Sequence, residues 1–231
     1  RPFLAGSLRA LLADLILLLS CLHSLLLTYP LSMTKTALSR PSLLHLLLPL
    51  LLLGQTAAQV LLTGRCPKIH PLKNFQPKRF LGRWYEIERF FVSYEGLAGT
   101  CWVENYLYDP HRGHYTRLDW KDRLSGKILS IENGITHNKH EPGRLRFVLQ
   151  RPSIPFLQGE YIILATDYST FALAWQCDNL PLGVSHTEIL WLLSKRQHPS
   201  SDTIHHAKKL AHGLGLDINR LQKQDRSNCP P

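Results

Sequence analysis

The side chains in this sequence that could do covalent or metal chemistry are few, and their spacing narrows what they can do. Beyond residue 58 the cysteines are Cys66, Cys101, Cys177 and Cys229. None stands in a C-x-x-C or other zinc-like spacing, so a metal site is not expected. If the chain is secreted, an even set of four implies two disulfides, and four cysteines permit three pairings. Paired sulfurs leave no thiol nucleophile, and no Ser-His-Asp arrangement is evident, so no catalytic residue is expected. His205 and His212 lie two helical turns apart, too far for an i,i+4 metal pair, and with His206 they read as solvated surface. More informative are charges set among aromatics. Glu104 lies between Trp102 and Tyr106, and Asp119 and Arg123 fall at and after the end of a later segment. Charges in apolar surroundings need partners or water. An apolar enclosure with a few placed polar groups is the usual make-up of a small-molecule site. The expected chemistry is therefore reversible binding, without enzymatic activity, cofactor or metal.

The elements that must position these residues are short segments rich in β-branched and aromatic residues, each closed by Gly, Pro, Asn or Asp. They predict strands at Trp84–Phe91, Cys101–Tyr108, His114–Trp120, Lys127–Thr136, Arg144–Leu149, Glu160–Thr166, Phe171–Asp178 and His186–Lys195. Regular short strands with turn signals between them indicate an all-β sandwich or barrel. Several alternate, as a wall with two faces should: Trp102, Glu104, Tyr106 and Tyr108 share one face, and Leu145, Phe147 and Leu149 another. Tyr161–Ala165 and Ile189–Leu193 are apolar on both sides and need an outer cover. Ser200 or Ser201 can cap a helix running to about Leu214, with Ile204, Ala207, Leu210, Ala211 and Leu214 as its apolar stripe. A helix packed outside a barrel explains both patterns. An eight-stranded barrel has an interior just wide enough for one small ligand.

The N-terminal part does not read as domain material. From Met33, Lys35 and Arg40 precede the apolar run Leu43–Leu53 and the small residues Thr56-Ala57-Ala58. That is a secretory signal over residues 33–58, with the domain spanning 59–231 and an extracellular destination. Residues 1–32, with the leucine-rich stretch Leu8–Leu27, are expected to be read-through upstream sequence outside the fold; a membrane anchor is the alternative. Without residues 1–58 the 27 basic and 17 acidic residues fall to 23 and 16, leaving a net charge of +7. The excess is dispersed, with no Lys/Arg block or nucleic-acid motif, so nucleic acid is not an expected partner.

Three motifs occur in order along these strands. Gly82-Arg83-Trp84-Tyr85 opens the first, Thr166-Asp167-Tyr168 sits in the turn after the sixth, and a basic residue, Lys195 with Arg196 beside it, ends the eighth. The chain resembles the lipocalin family in all three, and from about Gly64 to the C-terminus it looks like one member in particular, through Leu81–Glu88, Asn105-Tyr106, Ile163–Tyr168 and Asn228-Cys229-Pro230. The resemblance implies an eight-stranded antiparallel up-and-down barrel with one C-terminal helix outside it. It also implies the pairings Cys66–Cys177 and Cys101–Cys229, each closing a loop worth ~4–5 kcal/mol in the chain-entropy model. By the same resemblance Trp84 plugs the closed end beneath a basic residue, for which Lys195 and Arg196 compete. An arginine stacks on an aromatic face better than a lysine does. The ligand-lining positions implied are Tyr106, Asp119, Arg123, Phe147, Tyr161 and Trp191, with Trp191 a flat surface for a ring or acyl chain.

The resemblance thus implies a secreted carrier of a small lipophilic ligand, such as a fatty acid, sterol or retinoid. The alternatives are a lipocalin-type enzyme acting on a lipophilic substrate and a secreted interaction protein with a filled barrel. In an up-and-down barrel successive turns alternate between two ends. The second, fourth and sixth turns are polar, whereas the first, fifth and seventh carry Phe90-Phe91-Val92, Ile154–Leu157 and Leu180–Val184; the third, near Ser125-Gly126, is short and polar. One rim is therefore apolar. Phe91, Ile154, Phe156, Leu157, Leu180 and Leu182 are expected to dock it on membranes or lipoprotein particles; the alternative is that they fold inward and close the pocket.

Overall fold

The computed structural model describes residues 60–92, 99–148 and 160–230. The expected upstream stretch and signal, together with Leu149, Ile154, Phe156 and Leu157, lie outside them.

The period-two segments form strands, and each pairs antiparallel with the next. In chain order they are β2 (Gly82–Arg89), β3 (Gly99–Asp109), β4 (Gly113–Asp122), β5 (Ile128–His137), β6 (Arg144–Val148), β7 (Glu160–Thr166), β8 (Phe171–Asn179) and β9 (Ser185–Ser194). The eighth returns to the first, with Tyr85 opposite Ser194 and Arg89 opposite Trp191, so the sheet closes into a barrel without free edges. Register shifts between Glu86 and Glu88, Thr100 and Val103, and Ile163 and Ala165 supply the local bends that closure demands. Two short strands that the sequence reading lacked extend the sheet at the seam. β1 (Val60–Thr63) pairs with β9 from Glu188 to Ser185, and β10 (Gln222–Lys223) pairs with Arg89 and Glu88 of β2.

The pleat sorts side chains to two faces. Opposite pairs Trp84–Glu104, Tyr106–Thr116, Thr116–Asn133, Ile135–Phe147, Leu145–Tyr161, Ile163–Ala174 and Ala174–Trp191 trace the inner face around the ring. On the outer face Ile162, Phe171, Leu173, Trp175, Leu190 and Leu192 form a second apolar cluster, as the two-sided apolar strands required. Its cover is α2 (Ser201–Gly213), capped by the Ser200 hydroxyl, which accepts from the Thr203 N–H at 3.3 Å. Only Ala207 and Ala211 of that helix are fully buried, and Ile204 packs at the cluster's edge. Leu210 and Leu214, 36% and 41% exposed, stay outside, so the buried stripe is narrower than expected. Two small residues bring the helix backbone close to the sheet, and larger neighbours cannot share the contact. Phe90 belongs to the same outer cluster, and β2 ends at Arg89, two residues short of the expected Phe91.

Disulfides join Cys66 to Cys177 and Cys101 to Cys229, the pairs that the resemblance implied. The first ties the chain after β1 to β8, and the second ties the C-terminal segment to β3. Among the described residues no helix is long and apolar enough to cross a membrane.

Candidate functional site

The closed end is built before the first barrel strand, β2, begins. A single helical turn, α1 (Pro77–Phe80), places Phe80 against Trp84 with ring centroids 4.7 Å apart, and Phe75 meets Phe80 edge-on at 5.1 Å. The Trp84 indole N–H donates to the Phe80 carbonyl at 2.8 Å, so the fully buried ring is also polar-satisfied. Lys195 Nζ lies 4.1 Å from the Trp84 ring centroid and donates to the Leu81 carbonyl at 2.8 Å, whereas Arg196 is exposed. Burial draws the Lys195 ammonium down to about 8. Gly82 is needed here: its φ is +101°, and a Cβ would stand 3.2 Å from Lys195 Nζ. The Thr166-Asp167-Tyr168 turn clamps the same end. Thr166 Oγ1 donates to the Phe171 carbonyl, and the Tyr168 hydroxyl accepts from the Gln76 N–H at 3.0 Å. Asp167 Oδ1 accepts from the backbone of Ser169, Thr170 and Phe171. Partial burial would raise its carboxyl, but these bonds and that from the Thr170 hydroxyl outweigh it and hold it at about 2.

Above this floor lies a polar layer. The Tyr161 hydroxyl donates to Tyr106 Oη at 2.7 Å, and Tyr106 donates to Glu104 Oε2 at 3.0 Å. Burial raises Glu104 to about 8, against the Tyr106 bond and with a small push from Glu86, so its carboxyl is neutral and a donor at pH 7. Burial likewise pushes both phenols well above their ordinary range. On the same inner register Glu86 and Arg89 form a buried ion pair at 3.1 Å, and Arg89 also donates to Gln224. Burial raises Glu86 although Arg89 and Arg226 oppose it. Thr116 Oγ1, Asn133 Oδ1 and Trp120 Nε1, all on the inner face, have no protein partner.

The wall above is aromatic: Trp102 stacks on Trp120 at 5.1 Å and Phe147 on Tyr161 at 4.8 Å. Inward side chains behave differently at the two levels. Trp84, Tyr106, Leu145, Ile163, Ala172 and Leu193 are buried, whereas Glu104, Trp120, Ile131, Phe147 and Trp191 keep accessible surface although the barrel surrounds them. Glu104 combines a strongly desolvated carboxyl with a partly accessible surface, which is the condition of a group lining an enclosed space.

Of the six residues expected to line the ligand, Tyr106, Phe147, Tyr161 and Trp191 converge on this interior. Asp119 and Arg123 do not. Leu118 is the residue opposite Glu104, so Asp119, one position on, points outward. There it accepts from Asn105 Nδ2 at 2.8 Å and Ser130 Oγ at 2.6 Å and pairs with Arg117. Arg123 is exposed in the β4–β5 turn near Asp225, whose carboxyl Ser227 chiefly and Arg123 secondarily hold low. Glu86, Arg89, Thr116, Trp120 and Asn133 were missed. Alternation from Ile131 and Ile135 would have found Asn133, but the bulge after Glu86 hides Arg89 from any period-two count.

At the open end Leu182 is 93% exposed, Val184 67% and Phe91 40%, while Leu180 is half-buried and Phe90 and Val92 are buried. The third turn, expected to be polar, carries Leu124 at 98% exposure between Lys121, Arg123 and Lys127. Elsewhere, ligand atoms of Cys177, His186 and Glu188 lie within 4.8 Å of one another. The Cys177 sulfur is committed to Cys66, and His186 bridges the Gly64 carbonyl and Glu188, which makes that cluster a seam between β1 and β9.

No family model matches the chain. Individual relatives do. Apolipoprotein D from Cavia porcellus is 33% identical over 182 residues, covering 78% of this chain and 92% of the relative. Apolipoprotein D from Oryctolagus cuniculus is 33% identical over 195 residues, covering 82% and 98%. The chain belongs to the lipocalin family. Insecticyanin from Manduca sexta superposes with a TM-score of 0.65 at 22% identity, over 74% of this lipocalin and 90% of that chain, which shows the shared fold. The three ordered motifs of this lipocalin thus all act at one place, the sealed floor, and leave the upper interior free to differ.

Proposed function

We propose that this lipocalin is a secreted, non-enzymatic carrier that holds one small lipophilic molecule in the upper interior of its barrel. The carrying observation is that inward aromatics above a sealed floor remain accessible while the barrel encloses them. A dry, filled core would leave them buried. The relatives named apolipoprotein D support a lipid-associated cargo, and two disulfides suit an oxidising compartment. The reading as a carrier is supported by the chemistry inside: among the described residues every cysteine is bonded to another, and the Glu104 carboxyl and the Tyr106 and Tyr161 phenols are bonded in one chain. Titration with retinol as a probe, read by quenching of tryptophan emission, tests it. Saturation at one equivalent is expected, with loss of the signal in Ile131→Trp, which fills the interior. Unchanged quenching in that variant would place the probe elsewhere.

Exchange of the cargo at a lipid surface is the second part of the proposal. It is supported by the exposed leucines at the mouth and by the lysines and arginine beside Leu124. Leu182 holds φ +73°, a left-handed conformation that costs a leucine ~1–2 kcal/mol. Its side chain is 93% exposed at this end of the barrel, which suits insertion between lipid chains.

A further inference from the structure

Resting on the carrier reading, we infer that the interior selects a lipophile whose inner end is a neutral hydrogen-bonding group, an alcohol or a ketone, over a carboxylate of the same hydrocarbon frame. Four observations carry the inference. The polar group that the inner wall leaves accessible is Glu104, and its neighbours Tyr106 and Tyr161 already direct their hydroxyl protons toward it. An anion arriving there meets the carboxyl, two phenols and, one strand pair away, groups that carry no charge: the Thr116 hydroxyl, the Asn133 amide and the Trp120 indole N–H. Two cations beside this layer are engaged, Arg89 by Glu86 and Gln224 and Arg226 by the carbonyls of Glu86 and Trp102. Lys195 lies beyond the Trp84 plug with its ammonium on the Leu81 carbonyl, so it cannot reach the interior space. A carboxylate would therefore lose its hydration without gaining a counter-charge, which is costly in a closed site. A hydroxyl or ketone loses little and can accept from a protonated Glu104; a hydroxyl can also donate to its oxygens. The raised affinity of Glu104 for its proton has the same origin as the discrimination, namely an enclosure that disfavours negative charge.

Retinol and retinoic acid share one polyene frame and differ at the head, so they serve as the probes. Dissociation constants are read by tryptophan quenching at pH 7 on the disulfide-intact protein. Retinol is expected to bind at least tenfold more tightly. Glu104→Leu should remove most of that preference by weakening retinol while leaving retinoic acid nearly unchanged. Glu104→Gln, which keeps a neutral head, should recover most of the loss, and near-ultraviolet circular dichroism checks that each variant is folded. Equal affinities in the parent protein, or a preference that survives Glu104→Leu, would overturn the inference while leaving the carrier reading in place. Failure of both probes and of every extracted lipid to bind would instead remove the carrier reading itself.

Discussion

Glu104 concentrates the physics of the site in one side chain. Folding takes its carboxyl out of water, and the single bond from Tyr106 does not make up the loss, so the native state keeps a proton to about pH 8 that the unfolded chain releases near 4.5. Between those values the folded protein binds more protons than the unfolded one, and stability must fall as pH rises through the window. Glu104→Gln removes the titration. Its expected signature in urea melts is a flatter stability profile from pH 5 to 8 and a gain on the order of 3 kcal/mol at pH 8; an unchanged slope would show that the carboxyl is ionised throughout. The contrast with Asp167 is instructive. That carboxylate is partly buried too, yet the Thr170 hydroxyl and three backbone N–H groups hold it ionised to about pH 2. Environment, and not residue type, decides which acid keeps its proton.

At the scale of elements, α2 lies on the barrel through two alanines, and Ala207 has no accessible surface. Ala207→Leu must lift the helix or displace residues of the outer apolar cluster. A loss of about 1–3 kcal/mol is expected in thermal or urea unfolding, and a neutral result would show that the contact is loose. Much of this architecture was legible beforehand, because a two-sided apolar strand announces a cover and an alternating one announces a water-facing side. All eight barrel strands and the covering helix follow from that rule. What failed was local. Asp119 was placed at the ligand by family resemblance, although one step of the pleat beyond Leu118 turns it outward. The bulge at Glu86–Glu88 put a buried ion pair where counting by twos finds none. α1 and its phenylalanines escaped notice because one turn of helix in a proline-bearing stretch carries no periodicity. The choice between Lys195 and Arg196 depended on where β9 stops, and it stops at Ser194, which directs Lys195 under the tryptophan.

For the molecule as a whole, the two ends of the barrel differ in kind. One is sealed by stacked rings, a lysine and a hydrogen-bonded turn; the other presents apolar side chains beside basic ones. The net charge of +7 that remains without residues 1–58 adds a long-range attraction toward anionic surfaces. Co-sedimentation with vesicles containing phosphatidylserine is expected to fall several-fold when Leu124→Ser and Leu182→Ser are combined, with the fold and the interior unaffected because both side chains project into solvent. It should also weaken on raising salt, since the basic residues contribute by screened attraction. Binding that ignores both changes would remove the mouth from the docking account.

The claim on which everything else depends is that the enclosed space between the Trp84 floor and the mouth holds a single lipophilic guest. Native mass spectrometry of the folded protein, exchanged against a lipid extract and then against Ile131→Trp under the same conditions, addresses it most directly. The account predicts one bound small molecule per chain, released on unfolding and absent from the filled variant. A protein that emerges empty from every extract, or that carries the same adduct with its interior filled, would contradict it.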